Sequence, residues 1–420
     1  MIMNHAVIDT GYEAHAGQPV VALVPHINIK AFCDDPRTVQ AIQAAAADRR
    51  MARAHVQIHM GGIAGAVHVF QSELTPNVIV VESTGNRETI LAGLPQLAQV
   101  CGPETKVIVV GHVNDIILYR ELMRLGVSDY LVAPVHQLQL IDSIAGLFHD
   151  PGAKPLGRIF AFVGSKGGVG SSTLAHNVGW YLSRHLDTDT VITDFDLAFG
   201  TAGLNFNQET SQGIADALGQ PDRIDQTLLD RLLTKCGDKL SLLASPGAID
   251  RDVHIEESSV EVILNTVRNS VPCVIVDVPN MWAPWIKYTL LHADEVVITA
   301  TPELASLRNT KNLVDLLKQA RPNDAPPRLV MNQVGIPKRP EIPVADFAKA
   351  LGLTPALTIA YDAPTFGTAA SNGQMLAEVS VKAKAIDAVA SLAQMLLGQE
   401  KPSKPSKFSL PFAGKLLRKK

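Results

Sequence analysis

Short apolar runs rich in β-branched residues alternate with segments of helical period along almost all of this 420-residue chain, and nothing else in it constrains the fold as tightly. Ile27–Cys33, Ala54–Ile58, Val78–Glu82, Lys106–Gly111 and Asp129–Val132 read as strands, with Thr38–Arg49, Ile63–Gln71 and Asn114–Leu125 as helices among them. A second series runs through Arg158–Gly164, Thr190–Phe195, Leu240–Ala244, Cys273–Val278, Glu295–Ala300, Arg328–Asn332 and Leu357–Ala360. Helices fill its gaps, the last at Ser380–Leu397. Strands separated by helices pair in parallel, because a parallel connection has to cross over the sheet, and the helices then cover both faces. The expected fold class is α/β, with two doubly wound parallel-sheet domains.

Asp150-Pro151-Gly152-Ala153-Lys154-Pro155-Leu156-Gly157 fits neither period and reads as a linker. The expected division is a flexible leader over 1–22, a first domain over 23–149, the linker over 150–157, a second domain over 158–399 and a basic tail over 400–420. A chain of this length is too long for one ordinary core. With 46% hydrophobic and 19% charged residues it is globular rather than disordered, and its net charge of −4 offers no global attraction for nucleic acid or membrane. Four cysteines (Cys33, Cys101, Cys236 and Cys273) lie far apart without a metal-ligand spacing, so reduced thiols are expected. No apolar stretch reaches the roughly 18–20 residues that span a bilayer, and the first residues lack the pattern of a signal peptide. A cytoplasmic protein is expected.

The chemistry concentrates where the apolar strand ending at Gly164 runs into Lys166-Gly167-Gly168-Val169-Gly170-Ser171-Ser172-Thr173 and then a helix over Leu174–Leu186. Glycines 167, 168 and 170 let backbone N–H groups turn inward around phosphate oxygens, and the helix N-terminus adds partial positive charge. Downstream, Asp194-Phe195-Asp196 closes a strand with two acids at spacing two, which on an extended chain face one cation. Cys273–Val278 is an apolar strand ending near Asp277, a position from which a carboxylate holds a water on Mg²⁺. Asn332, in Met331-Asn332-Gln333, carries an amide able to pair with a donor and an acceptor on a purine edge. Trp282 and Trp285 follow the Asp277 strand and suit either a partner surface or packing against a helix.

Together these residues resemble the MinD/ParA family of P-loop ATPases, whose deviant Walker A pattern is K-G-G-x-G-K-[ST]-T, over roughly 158–395. The resemblance implies ATP and Mg²⁺ as cofactors. It makes Lys166 the signature lysine that reaches the nucleotide of a dimer partner, and Asp196 the switch acid that orients the attacking water. Ser172, Asp194 and Asp277 become the groups around Mg²⁺. Lys166, Gly167, Gly168, Val169, Gly170, Ser171, Ser172 and Thr173 form the phosphate loop, and Asn332 reads adenine. The departure is Ser171, where the family carries its P-loop lysine. Loss of one charge-assisted phosphate contact costs on the order of 1.5–3 kcal/mol. Hydrolysis suffers more than binding, since charge builds on the γ-phosphate in the transition state.

The first domain resembles a response-regulator receiver, a flavodoxin-like fold, but lacks its chemistry. Asp34 and Asp35 follow the first strand as receiver acids do, yet the third strand ends in Glu82 where the phosphoacceptor aspartate belongs. Gly111 replaces the usual hydroxyl residue, and Ala133-Pro134 replaces Lys-Pro. A degenerate receiver with a docking or dimerising task is expected. Joined to a MinD-like domain with serine in the phosphate loop, and with Gly126-Val127-Ser128-Asp129-Tyr130-Leu131-Val132 in the first half, it resembles the CpaE/TadZ family of Flp/Tad pilus assembly.

That resemblance implies an ATP-dependent homodimer with weak or no hydrolysis, which marks a pole or membrane site and recruits pilus or secretion machinery. The alternative is a partitioning ATPase acting on DNA, or a MinD-like positioning ATPase. No basic patch outside the tail supports nucleic acid as a partner. The tail 401–420 holds seven Lys/Arg and no acid, with Phe408, Leu410, Phe412, Leu416 and Leu417 interspersed. It is either a solvated tail or a weak contact with the inner face of a membrane.

Overall fold

Apolar side chains on both faces of a strand require cover on both sides, and the strands obtain it in two separate layered units. The computed structural model describes residues 24–148, 156–209, 212–245, 247 and 254–399. The leader, all but the last two linker residues and the basic tail lie outside the described residues. Five parallel strands, β1 (Ile27–Cys33), β2 (Ala54–Met60), β3 (Val78–Ser83), β4 (Lys106–Gly111) and β5 (Asp129–Val132), form the first sheet in the order β2-β1-β3-β4-β5. All six residues of the central β3 are buried, whereas the edge strand β2 is half-exposed.

The second sheet has eight strands: β6 (Arg158–Gly164), β7 (Thr190–Asp194), β8 (Thr234–Gly237), β9 (Leu240–Leu243), β10 (Cys273–Val278), β11 (Glu295–Ala300), β12 (Arg328–Val334) and β13 (Leu357–Ala360). Their order is β13-β12-β11-β6-β10-β7-β9-β8, parallel except for β8, which runs antiparallel to β9. Two cores flank this sheet. Ile159, Ala161 and Val163 of β6 join Val274 and Val276 of β10 on one side. Phe160 and Phe162 join Ile275 and the helical Leu174 and Val178 on the other. Each fully buried phenylalanine contributes about 1.5–3 kcal/mol relative to exposure.

The expected α/β class with two parallel sheets is therefore the observed one, and the corrections are local. The first helix runs from Pro36 to Ala46 rather than 38–49, because Asp35 caps it and Pro36 is preset for the first turn. The helix after the glycine loop begins at Ser171, three residues earlier than expected, and the last helix begins at Lys384 rather than Ser380. Helices at Arg87–Val100 and Gln137–Leu147, not delimited from the sequence, complete the first unit. Strand β8 was not expected; its residues Thr-Lys-Cys-Gly have no apolar alternation, and a two-residue turn folds them onto β9.

A polar seam joins the units. Arg49 Nε donates to Asp324 Oδ2 at 2.6 Å, Arg50 also reaches Asp324, and Arg53 pairs with Glu261. Asn323 Nδ2 donates to Asp48 Oδ2 at 2.9 Å. In each sheet the strand order reverses beside the strand that opens the unit: between β1 and β3 in the first, and between β6 and β10 in the second. The carboxyl ends of the strands at such a crevice are where ligands bind in open α/β sheets. Among the described residues no helix is long and apolar enough to cross a membrane.

Candidate nucleotide site

At the crevice of the larger sheet, β6 passes into the glycine loop and then into the helix Ser171–His185. Gly168 and Gly170 adopt φ of +78° and +89°, a region that side chains disfavour. A Cβ at Gly167 or Gly168 would meet nothing within 4 Å, so the loop is open there, whereas one at Gly170 would lie 2.6 Å from Asn332 Nδ2.

Four side-chain amides tie down carbonyls of this loop. Asn280 Nδ2 donates to Gly164 O at 3.1 Å and Asn309 Nδ2 to Ser165 O at 2.8 Å. Gln333 Nε2 donates to Gly168 O at 2.9 Å and Asn332 Nδ2 to Val169 O at 2.8 Å. In a trans peptide the carbonyl and the following N–H point opposite ways. Holding the carbonyls of Gly168 and Val169 toward the sheet therefore turns the N–H groups of Val169 and Gly170 the other way, as an anion cradle requires. In this arrangement Asn332 is committed to bracing the loop. Asn280, Asn309 and Gln333 escaped the sequence reading, because their role is visible only once β10, β12 and the helix after β11 are placed around β6.

The structure brings Ser172 and Asp277 together: Ser172 Oγ donates to Asp277 Oδ1 at 3.1 Å. Asp194 lies beside Asp277 and is almost wholly buried. Burial first, and then the Asp277 charge, push the Asp194 carboxyl well above the usual carboxylate range. Asp194 accepts from the backbone N–H groups of Asp196 (3.0 Å) and Ala202 (3.1 Å). Asp196 does not share its setting. The strand ends at Asp194, so the period-two geometry stops there; Asp196 is half-buried and accepts from Phe199 N at 3.1 Å.

Ser171 is 8% exposed, and its Oγ is buried without a hydrogen-bond partner among the described residues. Lys166 Nζ is 3.1 Å from Glu303 Oε2, which sequence reasoning had not singled out as a partner. Trp285 is buried against Phe195, with ring centroids 5.6 Å apart, whereas Trp282 is 57% exposed. The orphaned Ser171 hydroxyl, the open glycines and the buried acids beside Ser172 fit a nucleoside phosphate carrying a hard divalent cation.

The corresponding crevice of the smaller sheet is closed on itself. Glu82, 1% exposed, accepts at Oε2 from the backbone amides of Asp34 and Asp35, both at 2.8 Å. At Oε1 it accepts from Thr38 Oγ1 at 2.6 Å, and His112 Nε2 is 3.1 Å away. Burial alone would raise its pKa, but Thr38, the Asp35 amide, His112 and the Asp34 amide outweigh burial and hold it below the ordinary value. A Cβ at Gly111 would lie 2.3 Å from the hydroxyl of Tyr130, which itself donates to Val113 O at 2.7 Å. No hydroxyl residue fits at Gly111 under that ring. All four cysteines are free, Cys33 and Cys273 buried.

No family model matches the chain. A stretch amounting to 31% of it is 48% identical to the crystallised pilus assembly protein CpaE of Caulobacter crescentus CB15, covering 98% of that chain at a TM-score of 0.30. Identity at that level along nearly the whole relative decides the family. The chain belongs to the CpaE family. The sequence identity carries this, since the match is confined to a third of the chain. A ParA family ATPase from Chlorobium tepidum TLS is 27% identical, covers 57% of this chain and 99% of its own, and superposes with a TM-score of 0.52. The septum site-determining protein MinD of Helicobacter pylori is 25% identical over 161 residues, 38% of this chain and 58% of that protein. The chain spans about three fifths of the length of the curated relatives it matches. These likenesses support a P-loop ATPase of the MinD/ParA kind in a chain of the CpaE family.

Proposed function

We propose that this chain is an ATP-binding assembly factor for Flp/Tad pilus machinery that dimerises on ATP and hydrolyses it slowly or not at all. The observation that carries the reading is Ser171. It stands where the P-loop lysine of the MinD/ParA pattern belongs, and its buried hydroxyl has no partner among the described residues. A hydroxyl donates one hydrogen bond to a phosphate oxygen but supplies no positive charge where negative charge develops on the γ-phosphate.

The backbone of 167–170 and the hydroxyls of Ser171 and Ser172 would hold the phosphates, and Ser172, Asp194 and Asp277 would surround Mg²⁺. The cation, when bound, neutralises phosphate charge and fixes its geometry. Lys166 would leave Glu303 to bridge to the nucleotide of a second copy. The exposed Phe199, Met281, Trp282 and Leu304 near the loop supply apolar area for such a dimer. Residues 23–149 would act as a pseudo-receiver that docks partners, Glu82 being already satisfied where a phosphoryl group would go. The pilus assignment comes from the CpaE relative, and a location at a pole or the inner membrane face is part of the same proposal.

Light scattering with ATP, Mg²⁺ and the full chain tests this directly. A dimer that forms with ATP and dissociates on its removal is expected, with turnover far slower than in a lysine-bearing relative assayed alongside. A chain that stays monomeric at saturating ATP, or Lys166→Ala that dimerises as wild type does, overturns it.

A further inference from the structure

Where the two units meet, a cavity of about 180 Å³ lies between them. Arg49, Arg50 and Arg53 of the first unit and Arg268 of the second line it, and Glu261 is its one acid among the described residues. Three of these guanidiniums come from one short stretch, a single helical turn over Arg49–Met51 and the two residues after it. Along the seam, five guanidiniums share four carboxylates. Arg50 pairs with Asp48 at 2.9 Å, Arg53 with Glu261, and Arg268 with Asp294 at 3.4 Å. Asp324 alone serves Arg49, Arg50 and Arg321, so one positive charge is left over.

The surplus has an address. The Arg49 side chain is 10% exposed; its Nε donates to Asp324 at 2.6 Å, while Nη1 is buried with no hydrogen-bond partner among the described residues. An unpaired donor is costly to bury, and more so on a cation, so this group calls for an acceptor carrying negative charge. The strain is shared across the cavity. Burial first, and then the charges of Arg49 and Arg53, outweigh Asp294 and hold the Arg268 guanidinium below its ordinary pKa. His292 lines the same cavity, and burial together with Arg49 and Arg53 keeps its imidazole below the usual value, so it adds no further positive charge at neutral pH.

We propose that this cavity binds one phosphoryl oxyanion, held by Arg49 and Arg53 from the first unit and Arg268 from the second. A guanidinium presents its donors as a rigid fork that matches phosphate oxygens, and it keeps its charge when buried. The cavity has room for the ion together with a small ester group. Because both units supply ligands, the bound anion fastens one to the other and stabilises the seam by mass action. The site lies apart from the glycine loop and needs neither nucleotide nor Mg²⁺.

The test titrates the nucleotide-free full chain with orthophosphate by calorimetry, with glycerol phosphate and acetate run in parallel. Orthophosphate should bind with a Kd below about 1 mM, and acetate at least about tenfold more weakly. Tighter binding of glycerol phosphate would make the occupant a phosphomonoester, and weaker binding the free ion; both outcomes support the site. Arg49→Lys keeps a charge facing Asp324 but removes the orphaned donor, and should weaken phosphate binding at least about tenfold. Arg53→Gln, at a side chain 27% exposed, should do the same with less risk to folding, which circular dichroism checks in both. Ser172→Ala, which alters only the glycine loop, should keep one phosphate per chain. In the wild type, a readout that needs no variant, phosphate should slow proteolytic cleavage between the two units. Absence of phosphate binding below 1 mM, acetate binding as tightly as phosphate, unchanged affinity in the folded arginine variants, loss of binding in Ser172→Ala, or cleavage indifferent to phosphate each overturns the proposal.

Discussion

Lys166 Nζ lies 3.1 Å from Glu303 Oε2 of its own chain, at the mouth of the glycine loop. Both side chains are about a third exposed, and Glu303 also receives Arg339 Nη1 at 3.1 Å. The lysine proposed to reach a second copy is therefore held at home by a contact of modest strength.

Glu303→Gln should release that lysine. An ion pair this exposed is worth about 0.2–1 kcal/mol. The ATP concentration at half-maximal dimerisation, read by light scattering, should fall by up to about fivefold. An unchanged or raised midpoint would show that Lys166 takes no part across the dimer.

Ser171→Lys should strengthen Mg²⁺-ATP binding. A charge-assisted phosphate contact of about 1.5–3 kcal/mol corresponds to roughly ten- to hundred-fold in affinity, measured by titration calorimetry. Turnover should rise along with it; equal affinity in the two proteins would mean that the backbone cradle alone sets binding.

Glu82 should be structural and unreactive. Glu82→Gln turns an amide N–H₂ toward groups that are themselves donors, at a cost of about 1–3 kcal/mol seen as a lower midpoint in urea. Its folded-state pKa lies below the ordinary 4.5. The stabilisation is thus complete above about pH 4.5 and is lost as pH falls through the depressed folded value. The difference in unfolding free energy between wild type and Glu82→Gln should shrink below pH 4. Acetyl phosphate should leave the chain unlabelled.

Asp324→Ala should loosen the seam between the two sheets. Asp324 is 7% exposed and serves Arg49, Arg50 and Arg321. Removing one side of a buried ion network costs about 3–5 kcal/mol. Limited proteolysis should cut between the two units sooner than in wild type, and thermal unfolding should begin several degrees lower.

The strands were legible because twelve of the thirteen carry their own apolar signal, and the glycine loop because its residues adjoin in sequence. The acids were legible singly, at strand ends. What escaped was set by neighbours distant in the chain. The brace of Asn280, Asn309, Asn332 and Gln333 gathers around the loop only through parallel pairing. Asn332 consequently lies under the loop with its amide nitrogen on the Val169 carbonyl. Asp196 was misplaced because β7 ends two residues before it.

Tyr130 over Gly111 and the four donors around Glu82 have a further consequence for timing. A signalling module that toggles has two resting shapes of nearly equal free energy, and a covalent mark selects between them. If residues 23–149 act as the proposed pseudo-receiver, the place of the mark is already filled by the chain's own side chains, and one shape is left. On that reading the smaller sheet keeps no clock of its own, and a change of state has to be started at the larger one.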